Sequence, residues 1–227
     1  MIRIAAVLLA FLGADDKEAE EAIAKFRLDS KSPEASIRVD AVRELARVQH
    51  EKVIRILGSV LSTGDKPIQI AAAKALGAFQ EKKLKAVIVL AEAGATSIKD
   101  PDVAIAILSA LRELREKAAL GTAYRYLDDK DGKIAVAAIG ITETIKSRDS
   151  VEPLIKLMKR LIGAGDGVSS GDGSFDAPPD PRLQERARNL TEAAQKALEA
   201  ITGVSFSTAR EWENWWKRNG ATFRVKE

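Results

Sequence analysis

The stretch IQIAAAKALGAF, residues 68–79, decides the fold. Its apolar and small residues recur at helical spacing, with no strand-like alternation. The same pattern returns elsewhere in register. Ile37, Ile68, Val103 and Ile134 align, at spacings of 31, 35 and 31 residues. Three to five residues on come Ala41 and Val42; Ala71, Ala72 and Ala73; Ala106, Ile107 and Leu108; Ala137, Ala138 and Ile139. At the eleventh position stand Val48, Phe79, Leu114 and Ile145. A fifth copy, with Leu190, Ala193, Ala194, Ala197, Leu198 and Ile201, ends at Gly203. A period of this size built from helices predicts an all-α, right-handed solenoid of about five helix pairs.

The helix boundaries repeat as well. Ser32-Pro33, Asp65 with Pro67, Asp100-Pro101, Asp131 and Asp180-Pro181 each precede a helical pattern. Ser and Asp accept hydrogen bonds from the free N–H groups of a first turn, and Pro is tolerated there because it has no N–H to satisfy. First helices are expected over 34–47, 67–78, 101–115, 132–146 and 181–201. Second helices follow over 51–62, 82–94, 117–127 and 150–162, after short polar turns. Lys17 to Leu28 reads as one more amphipathic helix ahead of them.

The chain has 227 residues, 46% hydrophobic and 30% charged, which suits one unit spanning 15–227. A net charge of +3 permits an acidic partner without demanding one. The absence of cysteine excludes disulfides, thiolate metal sites and a Cys nucleophile. Residues 1–14 follow the order of an export signal: Arg3, an apolar run from Ile4 to Leu12, then small residues and Asp15. An exported protein is the expectation; the other reading is a first buried helix. The run is too short to cross a membrane, and no other segment is long enough.

The pattern breaks over 163–180, GAGDGVSSGDGSFDAPPD, an insert too rich in Gly, Pro and Ser to continue a helix. The tail, 204–227, replaces the last second helix. Thr208 and Glu211 form a T-x-x-E capping box. Trp212, Trp215 and Trp216 share one helix face, and Gly220 after Lys217 and Arg218 makes a favourable helix end.

The phrase at 68–79, with a looser copy at 37–46, resembles the HEAT-like repeat in the short form also found in phycobilisome lyases. The resemblance covers roughly 34–162 and 181–203. The ending at 198–203 followed by Trp212-x-x-Trp-Trp216 resembles the tail of exported bacterial HEAT-repeat proteins. It implies a scaffold that binds protein, with the second helices on the concave face.

Candidate sites are few. His50, the single histidine, stands beside Glu51. HEAT-repeat deoxyhypusine hydroxylases hold two irons with several His-Glu pairs, and one pair cannot supply enough ligands. His50 is expected to be an exposed turn residue. No serine lies in a GxSxG context. Asp166, Asp172, Asp176 and Asp180 do not follow EF-hand spacing. No catalytic residue, metal or cofactor is therefore expected. The basic turn residues Lys52, Lys82, Lys83, Lys117, Lys146 and Arg148 fall at equivalent repeat positions and are candidates for an edge facing an acidic partner. Glu51, Glu81, Glu116 and Asp149 interleave with them and weaken the field. Trp212, Trp215 and Trp216 form either a terminal cap or an aromatic binding patch. The expected function is non-catalytic binding of a protein partner by a monomer. The alternatives are a nucleic-acid-binding or alkylpurine-glycosylase-like protein, disfavoured by the interleaved acids, and a bilin lyase-like protein.

Overall fold

The computed structural model describes residues 2–95, 100–165 and 180–225, with side chains omitted for 2–15 and 163–165. The described residues form eleven α-helices. In chain order these are α1 (Ile2–Asp29), α2 (Ala35–Leu45), α3 (Glu51–Thr63), α4 (Lys66–Gly77), α5 (Lys83–Ala95) and α6 (Pro101–Leu114). Then come α7 (Leu120–Tyr126), α8 (Gly132–Ile145), α9 (Val151–Gly165), α10 (Pro181–Thr202) and α11 (Ala209–Asn219). Short 3-10 turns at Lys117–Ala119 and Arg148–Ser150 lead into α7 and α9. The helices pack into two compact units, Met1–Ala118 and Ala119–Glu227.

In the first unit the first helices α2, α4 and α6 lie side by side, and the second helices α3 and α5 pack against each other and on the first helices. Small residues set this spacing. A Cβ on Gly77 would sit 2.9 Å from both Cα and Cβ of Ala110, closer than packed atoms tolerate. Ala72, Ala73 and Leu76 of α4 and Ile107 and Leu111 of α6 are buried along the seam. Gly58 does the same for the second helices: its Cβ would fall 2.6 Å from Val89 Cγ1. At the helix starts, charged groups tie one repeat to the next. Arg38 donates to Asp65 at 2.9 Å and to the carbonyls of Ser32 and Pro33, and Lys66 pairs with Asp100 and Asp102.

The second unit repeats the scheme. First helices α8 and α10 pack together, α9 packs on α10 and α11, and α7 on α8. Ala135, Ala138 and Ile139 of α8 and Leu190, Ala194, Ala197 and Leu198 of α10 are buried. Arg186 on α10 reaches Asp128 at 3.1 Å, holding the end of α7.

Most expected boundaries hold to within a residue or two, and the differences have local causes. The helix expected from Lys17 is the end of one continuous helix, α1, whose backbone is helical from Ile2. Met1 and the side chains of 2–15, on which the export reading rests, lie outside the described set. The helix expected over 117–127 is a 3-10 turn followed by a short α7 containing Gly121. Glycine is a weak helix former, and nothing packs on its open side. Asp100, Asp131 and Asp180 cap their helices through backbone N–H groups, as expected. Asp65 does not, because its carboxylate is turned to Arg38. Gly203 ends α10 in the left-handed region, at φ 73°. Gly220 ends α11 right-handed; it is glycine for space, since a Cβ would meet the Trp216 ring at 2.9 Å. Residues 166–179 of the insert, with Asp166, Asp172 and Asp176, lie outside the described residues.

Two glycines predict opposite outcomes. Gly77→Val should lower stability by about 1–3 kcal/mol, because the Ala110 backbone must move. Gly121→Ala should raise it by about 0.4–1 kcal/mol, through reduced unfolded-chain entropy and better helix propensity. Urea midpoints of the two variants check both signs.

Candidate functional site

The basic turn residues occupy unlike environments. In the first unit Lys52 lies in the first turn of α3 and is held by Asp16 at 3.0 Å and Glu20 at 2.8 Å, both on α1. Its hydrogen bond holds the Asp16 carboxyl below the usual carboxylate range. Lys82 is exposed just before α5, and Lys83 is its first residue, half-buried. Lys117 is exposed at the start of its 3-10 turn. In the second unit Lys146 is an exposed, left-handed cap of α8 at φ 52°. Arg115 closes α6 the same way at φ 56°, so two successive first helices end in a left-handed non-glycine residue. Arg148 is half-buried; its guanidinium donates to the Gly220 carbonyl at 2.6 Å and lies 5.4 Å over the Trp216 ring. Of the six cations, then, Lys52 and Arg148 are already bound within the fold.

His50 is not an exposed turn residue. Its side chain is 16% exposed, its Nδ1 accepts the Lys52 backbone N–H as the cap of α3, and its Nε2 lies 3.4 Å from Asp16. The cause is α1, which lies over the start of α3. No group of three or more His, Asp or Glu residues able to hold a metal ion occurs among the described residues.

The tryptophans divide between the two readings. Trp212 is wholly buried, so it belongs to the cap and is withdrawn from any binding surface. Its Nε1 donates to the Phe206 carbonyl at 3.1 Å, and the Phe206 ring meets it edge-on at 5.0 Å. Trp215 and Trp216 stay half-buried, packed against Phe223 at 5.7 and 5.9 Å. The Thr208–Glu211 capping box forms as expected. Phe206 and Phe223 complete the cluster; their positions outside the helix gave no periodic signal.

The second-helix faces carry residues that the sequence reading did not single out. In the first unit the outward side of α5 exposes Leu84 (55%) and Ile88 (47%), one turn apart. Beside them Glu51 pairs with Lys85, which holds the Glu51 carboxyl low, and Lys52 has its two acids. In the second unit a cleft of about 590 Å³ opens between α7 and α9, floored by Tyr124, Leu127 and Pro153 and walled by cations. Lys156, Lys159 and Arg160 stand on one helix face by their i, i+3, i+4 spacing, the signal that sequence reasoning had available. The first-helix side of the first unit also has a groove, about 580 Å³ between α4 and α6, bordered by Ile70, Ile105 and Ser109. No described helix is long and apolar enough to cross a membrane.

Two measurements test this assignment of roles. Trp212→Ala should cost about 3–5 kcal/mol, as for loss of a buried aromatic core residue. Trp216→Ala should cost about 1–2 kcal/mol, with denaturant midpoints separating them. Asp16, Glu51, Asp100, Glu152 and Glu213 are all held low by hydrogen bonds from lysines. A depressed folded value contributes stability that is complete above the unfolded value, about 4, and is lost as pH falls through the folded one. Stability should therefore be level from about pH 7 to 5 and decline below about pH 4.

Residues 26–98, from the last turn of α1 to just past α5, match the family model of HEAT repeats. No curated protein matches the chain.

Proposed function

We propose that this HEAT-repeat chain is a non-catalytic scaffold that binds a protein partner through its second helices. HEAT repeats typically mediate protein interactions, and the matched residues include α3 and α5. The observation that carries the proposal is the exposed pair Leu84 and Ile88 on α5. Folding leaves these two aliphatic side chains in water, beside the Lys85–Glu51 pair. Exposed apolar residues rimmed by polar ones mark interaction sites, and binding energy concentrates on a few such residues.

The test is the double substitution Leu84→Glu with Ile88→Glu. A partner is first identified by crosslinking in the native host, then purified, and its affinity is measured by calorimetry. The variant should bind it at least about thirtyfold more weakly, the scale of a hot-spot loss. Its thermal stability should stay within about 0.5 kcal/mol of the parent, since both sites are exposed. Equal affinity for parent and variant would move the binding surface elsewhere.

A further inference from the structure

A second cavity, of about 540 Å³, adjoins the α7–α9 cleft in the second unit and shares Pro153 and Lys156 with it. The two adjoin at Pro153 and Lys156 and together border α9 from Tyr124 to Trp216, a grooved surface across the helix. Its charge is unbalanced. Six cations line it: Arg125, Lys156, Lys159 and Arg160 in the first cavity, with Arg148 and Lys217 added by the second. The lining carboxylates are three: Asp128, Asp149 and Glu152.

The ion pairs show where the surplus arises. Glu213, behind the wall, serves both Lys159 at 3.0 Å and Lys217 at 3.3 Å. Asp128 likewise serves both Arg160 and Arg186. Lys156 has Glu152 at 2.7 Å, and Arg125 has no carboxylate partner among the described residues. Even with Glu213 counted, two positive charges over the lining remain uncompensated. A concave, partly apolar wall focuses such a field more than a flat surface does.

We propose, resting on the reading of the chain as a protein-binding module, that this groove holds an extended acidic peptide segment of the partner. Acidic side chains would meet the surplus cations, and aliphatic ones would lie on Leu127, Pro153 and the Tyr124 ring. The lining carboxylates favour a peptide over a nucleic acid. A peptide backbone brings N–H donors that Asp128, Asp149 and Glu152 can accept, whereas a sugar-phosphate backbone brings further anions against them. This groove shares no residue with the Leu84–Ile88 patch, so substitutions test the two independently.

The probe is a fluorescein-labelled peptide of alternating Glu, Asp and Leu, long enough to cross α9, titrated with the full chain by anisotropy. A fluorescein-labelled oligo-dT of matched charge is titrated in parallel. Saturable peptide binding that weakens with salt is expected, together with about a tenfold loss in Arg125→Glu with Lys156→Glu. Arg182→Glu with Arg188→Glu, an equal charge change on α10 outside the groove, should keep parental affinity. If the glutamate variant fails to fold by circular dichroism, Arg125→Gln with Lys156→Gln takes its place, with a smaller loss in the same direction. Three results would overturn the proposal: no peptide binding, an equal loss in the α10 control, or tighter binding of oligo-dT than of peptide. Partner affinity lost in the α5 variant but kept in the groove variant would refute the groove while leaving the scaffold reading intact.

Discussion

The close approach of first helices is the constraint on which each unit depends. At Gly77 and Ala110 there is no room for a single extra carbon. Packing at that distance has two consequences. The alanines along α4 and α6 bury almost completely, so the first helices carry much of the core. The second helices bury one side on that layer and keep the other in water. In the second unit the alanines of α8 and α10 do the same work. Pairs such as Arg38–Asp65 and Lys66–Asp100 then fix register, and each contributes little to stability because at least one partner lies in solvent. Both helix layers thus supply core residues, such as Leu76 on α4 and Leu90 on α5, and both keep an exposed side.

The two units use their free helix faces differently. In the first, acids from α1 and α3 neutralise Lys52 and Lys85, and α5 keeps an aliphatic pair exposed. In the second, carboxylates are shared between cations, and a positive groove results. Apolar contact supplies affinity, and matched charge supplies orientation and encounter rate. A partner engaging both faces would draw on both.

Helix order and most boundaries were legible because they are local. Periodicity places most of the buried stripe, although Ile37 of the aligned set stays exposed, and Asp100, Asp131, Asp180 and Thr208 accept the N–H groups their positions imply. What was not legible depends on neighbours distant in sequence. Asp65 abandons its cap for Arg38, 27 residues away. His50 is half-buried only because α1 lies beside it. Arg115 and Lys146 adopt left-handed caps that their residue types do not announce. The candidate site shows the same division. The turn lysines were conspicuous as a repeated motif, yet Lys52 and Arg148 prove engaged by contacts from α1 and from the tail. Leu84 and Ile88 carried no signal of their own, because apolar spacing on a helix does not say which stripe faces inward. Trp212 and Trp216 are indistinguishable by spacing, and only packing on Phe206 and Arg148 separates them.

The central claim is that the second helices, and not the first, meet the partner. Site-specific photo-crosslinking tests it most directly, with the photoreactive residue placed at Ile88 on α5 in one protein and at Ser109 on α6 in another. Both positions are exposed, so both reagents are free to react. One defined adduct is expected from position 88, reproduced with the purified partner, and none from position 109. An adduct with that partner from position 109 alone would place the interface on the first-helix groove and contradict it.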